Sequence, residues 1–471
     1  MSRFLAIDLG AESGRAILGT LDGGKLTLEE LHRFPNTPVS LPTGLYWDTL
    51  RLFHEISHAL TVCGRERKIA LDGIGIDTWG VDFGLLSSDG ALLDNPRHYR
   101  DARNARMMEK TCAVVSPEEI FEETGIQFMP LNTLCQLYAM KLVGSPALKY
   151  ATKLLFMPDL LNYWLTGEMR AEESIASTSQ FYNPRQRQWA VGLFRKLGIP
   201  ERILPEIVKP GTRLGMLLPA IAASTGLPAD VPIYATACHD TASAVAAVPA
   251  EGDEWCYISS GTWSLMGAEL DSPIINARSL ALNFTNEVGA GGKIRFLKNI
   301  AGLWLLQECR RAWAREGREY SYLELSRLAA DAPPAQKSID PDAFPDPGRM
   351  PERIAEYCRA RGWPAPDEPA GMTRLILESL AATYRKVLDN LESLLARRVQ
   401  RIHIVGGGSR NQLLNQLTAN ATGRTVISGP AEATAAGNIL VQAIGAGVVT
   451  GISEARAIVR ASFPLETHQP E

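Results

Sequence analysis

Arg3-Phe-Leu-Ala-Ile-Asp8-Leu-Gly-Ala-Glu-Ser-Gly-Arg15 opens the chain with an apolar strand, a glycine-bearing turn and the start of a second strand. Arg3–Leu9 reads as the first strand, Gly10–Gly14 as the turn and Arg15–Leu21 as the returning strand. Asp22-Gly-Gly24 makes a second turn before a third strand over Lys25–Phe34. Closely spaced strands broken by glycine-rich turns predict an antiparallel meander. A helix over Thr49–Val62 follows, with apolar residues at 50, 53, 56 and 60 on one face. Strands over Gly73–Asp77 and Trp79–Leu86 come next, with Ser88-Asp-Gly90 at the tip. Strands and helices in repeated order predict a layered α/β domain.

Residues 95–230 read as mostly helix and loop. Val231–Ala237 is then a strand of the buried type, and Thr241–Val248 a helix. The polar stretch Pro249-Ala-Glu-Gly-Asp253 marks a domain boundary, which divides the chain into 1–248 and 249–471. Beyond it the opening order returns. Glu254–Ser259 is a strand, Ser260-Gly-Thr262 a turn and Trp263–Leu270 a returning strand. Arg401–Val405, Gly406-Gly-Gly408 and Asn411–Ala421 add a strand, a turn and a helix. An internally duplicated α/β unit accounts for this order. Six prolines within residues 333–351 predict an extended loop, of a kind more often functional or mobile than core.

The 471 residues are 45% hydrophobic and 21% charged, enough for two to four domains with real cores. The net charge of -4 and the absence of a basic stripe argue against a nucleic-acid partner and for a small molecule. Seven cysteines, an odd number without C-x-x-C spacing, read as buried free thiols in a reducing, cytoplasmic compartment. Asp8 falls too early for a signal peptide, and no 18-residue apolar run exists, so no membrane partner is expected.

Three glycine-bearing turns each follow a short apolar strand: Gly10–Gly14, Ser259–Thr262 and Gly406–Gly408. Such turns let backbone amides converge on an anion such as a phosphate, though any one of them alone also reads as an ordinary turn. Asp8 ends its strand where a carboxylate can hold Mg²⁺, which takes one or two carboxylates plus phosphate oxygens; a turn-forming aspartate is the plainer reading. Asp240, in Cys238-His-Asp-Thr241, joins a strand to a helix. It reads either as a helix cap or as the base that accepts a hydroxyl proton during phosphoryl transfer, where positioning and charge dominate. His239 is the rival base. His54-Glu-Ile-Ser-His58 matches the zinc-protease pattern without a third ligand nearby, and Asp82-Phe-Gly84 spells a protein-kinase triplet inside a predicted strand. No P-loop pattern and no complete dinucleotide fingerprint is present.

Together, Asp8-Leu-Gly-Ala-Glu-Ser-Gly-Arg15, Cys238-His-Asp-Thr241, Ser259-Ser-Gly-Thr262 and Val405-Gly-Gly-Gly408 resemble the FGGY carbohydrate kinases. Gly75-Ile-Asp-Thr-Trp-Gly-Val-Asp-Phe83 and Leu297-Lys-Asn-Ile-Ala-Gly-Leu-Trp-Leu-Leu-Gln307 extend the resemblance, which runs from Phe4 to about Phe463 and is close to the members that phosphorylate L-rhamnulose. The resemblance implies two ribonuclease-H-like (actin-like ATPase) α/β domains with a cleft between them, the first sugar-binding and the second nucleotide-binding with a C-terminal helix. It also implies transfer of the ATP γ-phosphate to the C1 hydroxyl of L-rhamnulose in L-rhamnose catabolism. L-Fuculose is the alternative sugar, and a catalytically silent sensor on the same fold the alternative class. By similarity Asp240 is the proton acceptor, and Gly80, His239, Asp240, Thr241 and Asn299 contact the sugar. Ala11, Glu12, Ser13, Gly14, Arg15, Thr262, Gln307 and Gly407 contact ATP, and Asp8 attends to Mg²⁺. The acid at residue 12 is expected to point away from the phosphates. The oligomeric state, monomer or dimer, is left open.

Overall fold

In the computed structural model, which describes residues 1–471, strand Ser2–Leu9 is buried from Phe4 to Leu9. A continuous apolar run suits a strand covered on both faces. It pairs antiparallel with Ser13–Asp22, which pairs antiparallel with Lys25–Pro35, so the meander forms as expected. On its other side Ser2–Leu9 pairs in parallel with Gly73–Thr78, itself wholly buried. The six-stranded sheet runs Thr212–Met216, Pro232–Ala235, Gly73–Thr78, Ser2–Leu9, Ser13–Asp22 and Lys25–Pro35. Helix Thr49–Thr61 turns Leu52, Ile56, Ala59 and Leu60 inward. Leu50, assigned to the apolar face in the sequence reading, is 68% exposed.

The chain forms two compact units. The first holds Met1–Ala247, Glu269–Phe296 and Thr434–Ser462; the second holds Val248–Ala268, Leu297–Ala433 and Phe463–Glu471. They are thus not the contiguous spans 1–248 and 249–471. Helices Ala433–Gly445 and Ile452–Ser462 fall, but for Ala433, in the first unit, where the sequence reading put a C-terminal helix in the second. Three contacts explain why. Arg456 donates to Glu269 at 2.6 Å and to the Val245 carbonyl at 3.1 Å, and Ser462 Oγ accepts from the Leu26 N–H. Gly75 lacks a side chain where one is excluded: a Cβ there would come within 2.8 Å of Asn438 and Gln442.

In the second unit Trp255–Ser260 pairs antiparallel with Trp263–Leu270 and parallel with Arg401–Val405. Arg401–Val405 pairs in parallel with Thr425–Ser428, which pairs antiparallel with Glu466–His468. This is the first unit's order again: a central strand, its antiparallel return on one side, two parallel strands on the other and an antiparallel edge.

Other expectations shift in detail. Strand Trp79–Leu86 shortens to Phe83–Leu86, because residues 79–82 leave the sheet at a left-handed Val81 (φ 70°). The 95–230 stretch contains short strands as well as helices; Lys153–Phe156 pairs with Phe83–Leu86, and Arg170–Glu172 with Glu206–Val208. The proline-rich segment is irregular but pinned. Ala301 N–H donates to Asp342, Trp304 Nε1 to the Phe344 carbonyl and Gly348 N–H to Glu308, while Ile339 and Phe344 are buried. The 27-residue helix Pro369–Leu395 lies outside the sequence expectation altogether.

Candidate active site

In the first unit, carboxylates gather at the carboxyl ends of neighbouring strands. Asp8 pairs with Asp77 across the parallel ladder and with Arg15 across the antiparallel one. Arg15 forms an ion pair with Asp8, so the arginine predicted for the phosphates touches the aspartate predicted for the metal. Asp77 is fully buried. Burial pushes its carboxyl well above the usual carboxylate range, and the charges of Asp8 and Asp240 push it further in the same direction. Asn438 Nδ2 donates to Asp77 Oδ2 at 2.5 Å, whereas Asp77 Oδ1 has no hydrogen-bond partner.

Two adjacent acids with a buried, unpartnered oxygen suit a divalent cation or its bound water.

Asp240 begins helix Asp240–Ala246, with His239 as the N-cap, so it is the first helical residue and not the cap. Its Oδ1 accepts from the Thr241 N–H at 2.5 Å and the Thr241 hydroxyl at 3.1 Å. The side chain is 31% exposed, within reach of a substrate. The preceding turn is fixed from beneath: Cys238 N–H donates to Glu172 and His239 N–H to Ser174 Oγ, at 3.0 and 3.2 Å. Burial raises Glu172 to about 7, against the hydrogen bonds it accepts from Ser174, Ile175 and Cys238. Thr78 N–H donates to the Cys238 carbonyl at 2.9 Å, tying this step to the end of the Asp77 strand.

His239 is buried, with Nε2 at 3.4 Å from Asp240 Oδ1 and Nδ1 at 3.0 Å from Arg295 Nη2. Arg295 Nη2 also donates to Glu287 at 3.0 Å. Burial alone would raise Glu287; the Arg295 guanidinium outweighs it and holds the carboxyl below its usual value.

Gly80 lies against Thr178, where a Cβ would sit 3.2 Å from that side chain. Val81, next to it, holds a positive φ that costs a β-branched residue of order 1–3 kcal/mol. Thr178 Oγ1 accepts its N–H, and its carbonyl accepts the Thr133 hydroxyl at 2.6 Å. Asp82 then accepts the indole N–H groups of Trp47 and Trp79 at 2.6 and 3.0 Å, plus Gln136 and the Tyr99 N–H. Burial lifts Asp82 to about 6, partly offset by those donors. The triplet Asp82-Phe-Gly84 is therefore an anchor for two tryptophans, with its aspartate just before the strand.

The loop after Asp8 is a tight turn: Gly10 N–H donates to the Ser13 carbonyl at 2.9 Å, and Asn36 N–H to the Glu12 carbonyl. Ala11 and Ser13 are partly exposed, Gly14 is buried and Glu12 is exposed to solvent.

In the second unit, Gly406 takes a left-handed φ of 84° and Gly407–Arg410 coil as a short 3-10 turn. Nothing lies within 4 Å of a Cβ built on Gly407, whereas one on Gly408 would collide with Ser260. Gln307 Nε2 donates to Thr262 Oγ1 at 3.1 Å, and Gln307 Oε1 is buried without a partner. Open space over a glycine turn and an orphaned acceptor suit a nucleotide. Asn299 lies on strand Ile294–Ala301, in the part that belongs to the second unit.

Two family models match the chain: the FGGY family of carbohydrate kinases, N-terminal domain, over residues 3–247, and its C-terminal domain over residues 256–446. The chain belongs to the FGGY family of carbohydrate kinases. Curated relatives of this kinase include the rhamnulokinase of Bacteroides thetaiotaomicron, 46% identical over 99% of this chain and 96% of that protein. The rhamnulokinase of Enterococcus faecalis is 42% identical over 99% of this chain and 94% of its own. Among solved structures, the ligand-bound xylulose kinase of Lactobacillus acidophilus matches with a TM-score of 0.80 at 16% identity, covering 100% of this chain and 94% of its own. Plasmodium falciparum glycerol kinase with ADP matches at 0.79 and 15% identity, covering 100% and 95%. At such identities the likeness is one of fold, the actin-like ATPase architecture.

Sequence reasoning about this kinase's site missed Asp77, Glu172, Glu287, Arg295 and Asn438. Asp77 carried a signal, a lone charge in an otherwise apolar strand, Gly73-Ile-Gly-Ile-Asp77. Asn438 and Gln442 carried another, two amides one turn apart in the apolar helix Ala433–Gly445. Glu172, Glu287 and Arg295 had none, because only tertiary packing gives them partners. The zinc-like pattern is structural: Glu55 points inward and pairs with His32 and Arg51, both at 2.7 Å, while His54 and His58 are exposed.

Proposed function

We propose that this carbohydrate kinase transfers the γ-phosphate of ATP to the C1 hydroxyl of L-rhamnulose, giving L-rhamnulose 1-phosphate and ADP, in L-rhamnose catabolism. The observation that carries the chemistry is Asp240, a part-exposed carboxylate at a helix start beside two further acids, Asp8 and Asp77. Identity of 38–46% to curated rhamnulokinases over nearly the whole chain supports the sugar. Asp240 takes the hydroxyl proton as the sugar oxygen bonds to the γ-phosphorus and the bond to the ADP oxygen breaks. Little covalent help is needed, since the transition state is loose and positioning dominates.

From the first unit, Gly80, His239, Asp240 and Thr241 contact the sugar, and Ala11, Glu12, Ser13, Gly14 and Arg15 face the phosphates, Glu12 through its backbone. From the second, Thr262, Gln307 and Gly407 hold the nucleotide and Asn299 is a sugar contact. Asp8 and Asp77 would hold Mg²⁺, which supplies charge neutralisation at the phosphate oxygens. The cytoplasm is the compartment that fits its seven free cysteines.

ADP release measured with a panel of ketoses tests the reading. L-Rhamnulose should give the highest kcat/KM. A preference for L-fuculose would replace the sugar, and ATP binding without turnover on any ketose would overturn the kinase assignment.

A further inference from the structure

His239 has two candidate roles beside Asp240: donor to the sugar, or rival base. Its tautomer decides between them. Arg295 is wholly buried, with Nε donating to the Val288 carbonyl at 3.1 Å and Nη2 shared between Glu287 and His239 Nδ1, both at 3.0 Å. A guanidinium has donors only, so it can hydrogen-bond Nδ1 only when that nitrogen keeps its lone pair. The neutral ring's proton is then on Nε2, the nitrogen 3.4 Å from Asp240 Oδ1. The opposite tautomer would aim an Nδ1–H at Glu287, 3.3 Å away, but would set it against the Arg295 donor at the shorter distance. Glu287 compensates the buried guanidinium, so the arginine need not find its counter-charge at Asp240.

We propose that Arg295 is a positioning residue that locks His239 in the Nε2–H tautomer, making His239 a hydrogen-bond donor beside Asp240 and barring it from accepting the sugar proton. Two nitrogens of one ring are thereby given fixed and different tasks. The inference rests on the kinase reading for its consequence but not for its geometry. The charged groups around His239 are Arg295, Glu287 and Asp240.

Long-range proton–nitrogen NMR of protein labelled at its histidine rings, without substrate at pH 8, reads the tautomer directly; His239→Gln assigns the signal. Wild-type His239 should be Nε2–H. Arg295→Met should move the proton to Nδ1 and lower kcat/KM for the sugar at least about tenfold. Glu287→Gln, which leaves the Arg295 contact in place, should keep Nε2–H. If Arg295→Met does not fold, Arg295→Leu, which also lacks a donor, takes its place with the same expectation. An Nδ1–H ring in the wild type, or an unchanged tautomer once Arg295 is replaced, overturns the proposal. Failure of the kinase reading would appear separately, as absent wild-type turnover.

Discussion

The sheets of the two units share a strand order, yet their strands end in different chemistry. In the first, the central strand ends at Asp8-Leu9 and its parallel neighbour at Asp77-Thr78, and the next strand leads through Cys238-His239 to Asp240. In the second, the equivalent strands end at Ser259-Ser260, at Val405-Gly406 and at Ser428-Gly429. One sheet thus presents carboxylates and the other hydroxyls and glycine amides. The lesson is that the repeated frame supplies positions, while a few side chains at strand ends decide whether a position carries an acidic group or only hydroxyls and glycine amides.

The comparison breaks most visibly at Asp240. Asp240→Asn keeps size and polarity, and kcat should fall at least about 10²-fold, the usual cost of a lost general base. A fall below about threefold would move the base role elsewhere.

The acidic unit should also betray itself through pH. Asp82 is buried with a folded value of about 6 against an ordinary 3.8. The unfolded chain therefore ionises first as pH rises, and the folded state loses about 3 kcal/mol relative to it between those two values. Denaturant unfolding across pH 3.5–7 should show the wild type losing about 3 kcal/mol more than Asp82→Asn, on top of the loss that both share through Glu172. Parallel curves would mean that the carboxylate is not held in this environment.

Within the glycine-ended unit, Gly408→Ala should cost about 1–3 kcal/mol through its collision with Ser260. Gly407→Ala, with open space, should leave stability within about 0.5 kcal/mol while raising the KM for ATP. Equal melting curves for the two variants would remove the distinction. The smallest effect belongs to Thr262→Val, which removes the hydroxyl that Gln307 donates to; the KM for ATP should rise about threefold to tenfold with the sugar KM unchanged.

Much of this was legible in the sequence because it is local. Glycine turns after short apolar strands announced the meander, the repeated strand order and the second unit's glycine-ended strands, and Cys238-His-Asp-Thr241 announced a carboxylate at a strand-to-helix step. What stayed hidden is non-local. Arg295 and Glu287 look like ordinary strand charges until folding brings them to His239. Asn438 lies 361 residues from the Asp77 it holds, and that separation also explains why the units interleave instead of dividing at 248. Val81's left-handed backbone, which ends the predicted strand early, has no signature in a β-branched residue that ordinarily favours strands.

The division of tasks between acidic and glycine-rich strand ends is tested most directly by calorimetric titration of Asp240→Asn with L-rhamnulose and, separately, with a non-hydrolysable ATP analogue. Both dissociation constants should stay within about threefold of wild type although turnover is lost, because a base acts in the transition state and not in ground-state binding. Loss of sugar or nucleotide binding in step with kcat would contradict the account, since Asp240 would then act through ground-state binding and not as the base.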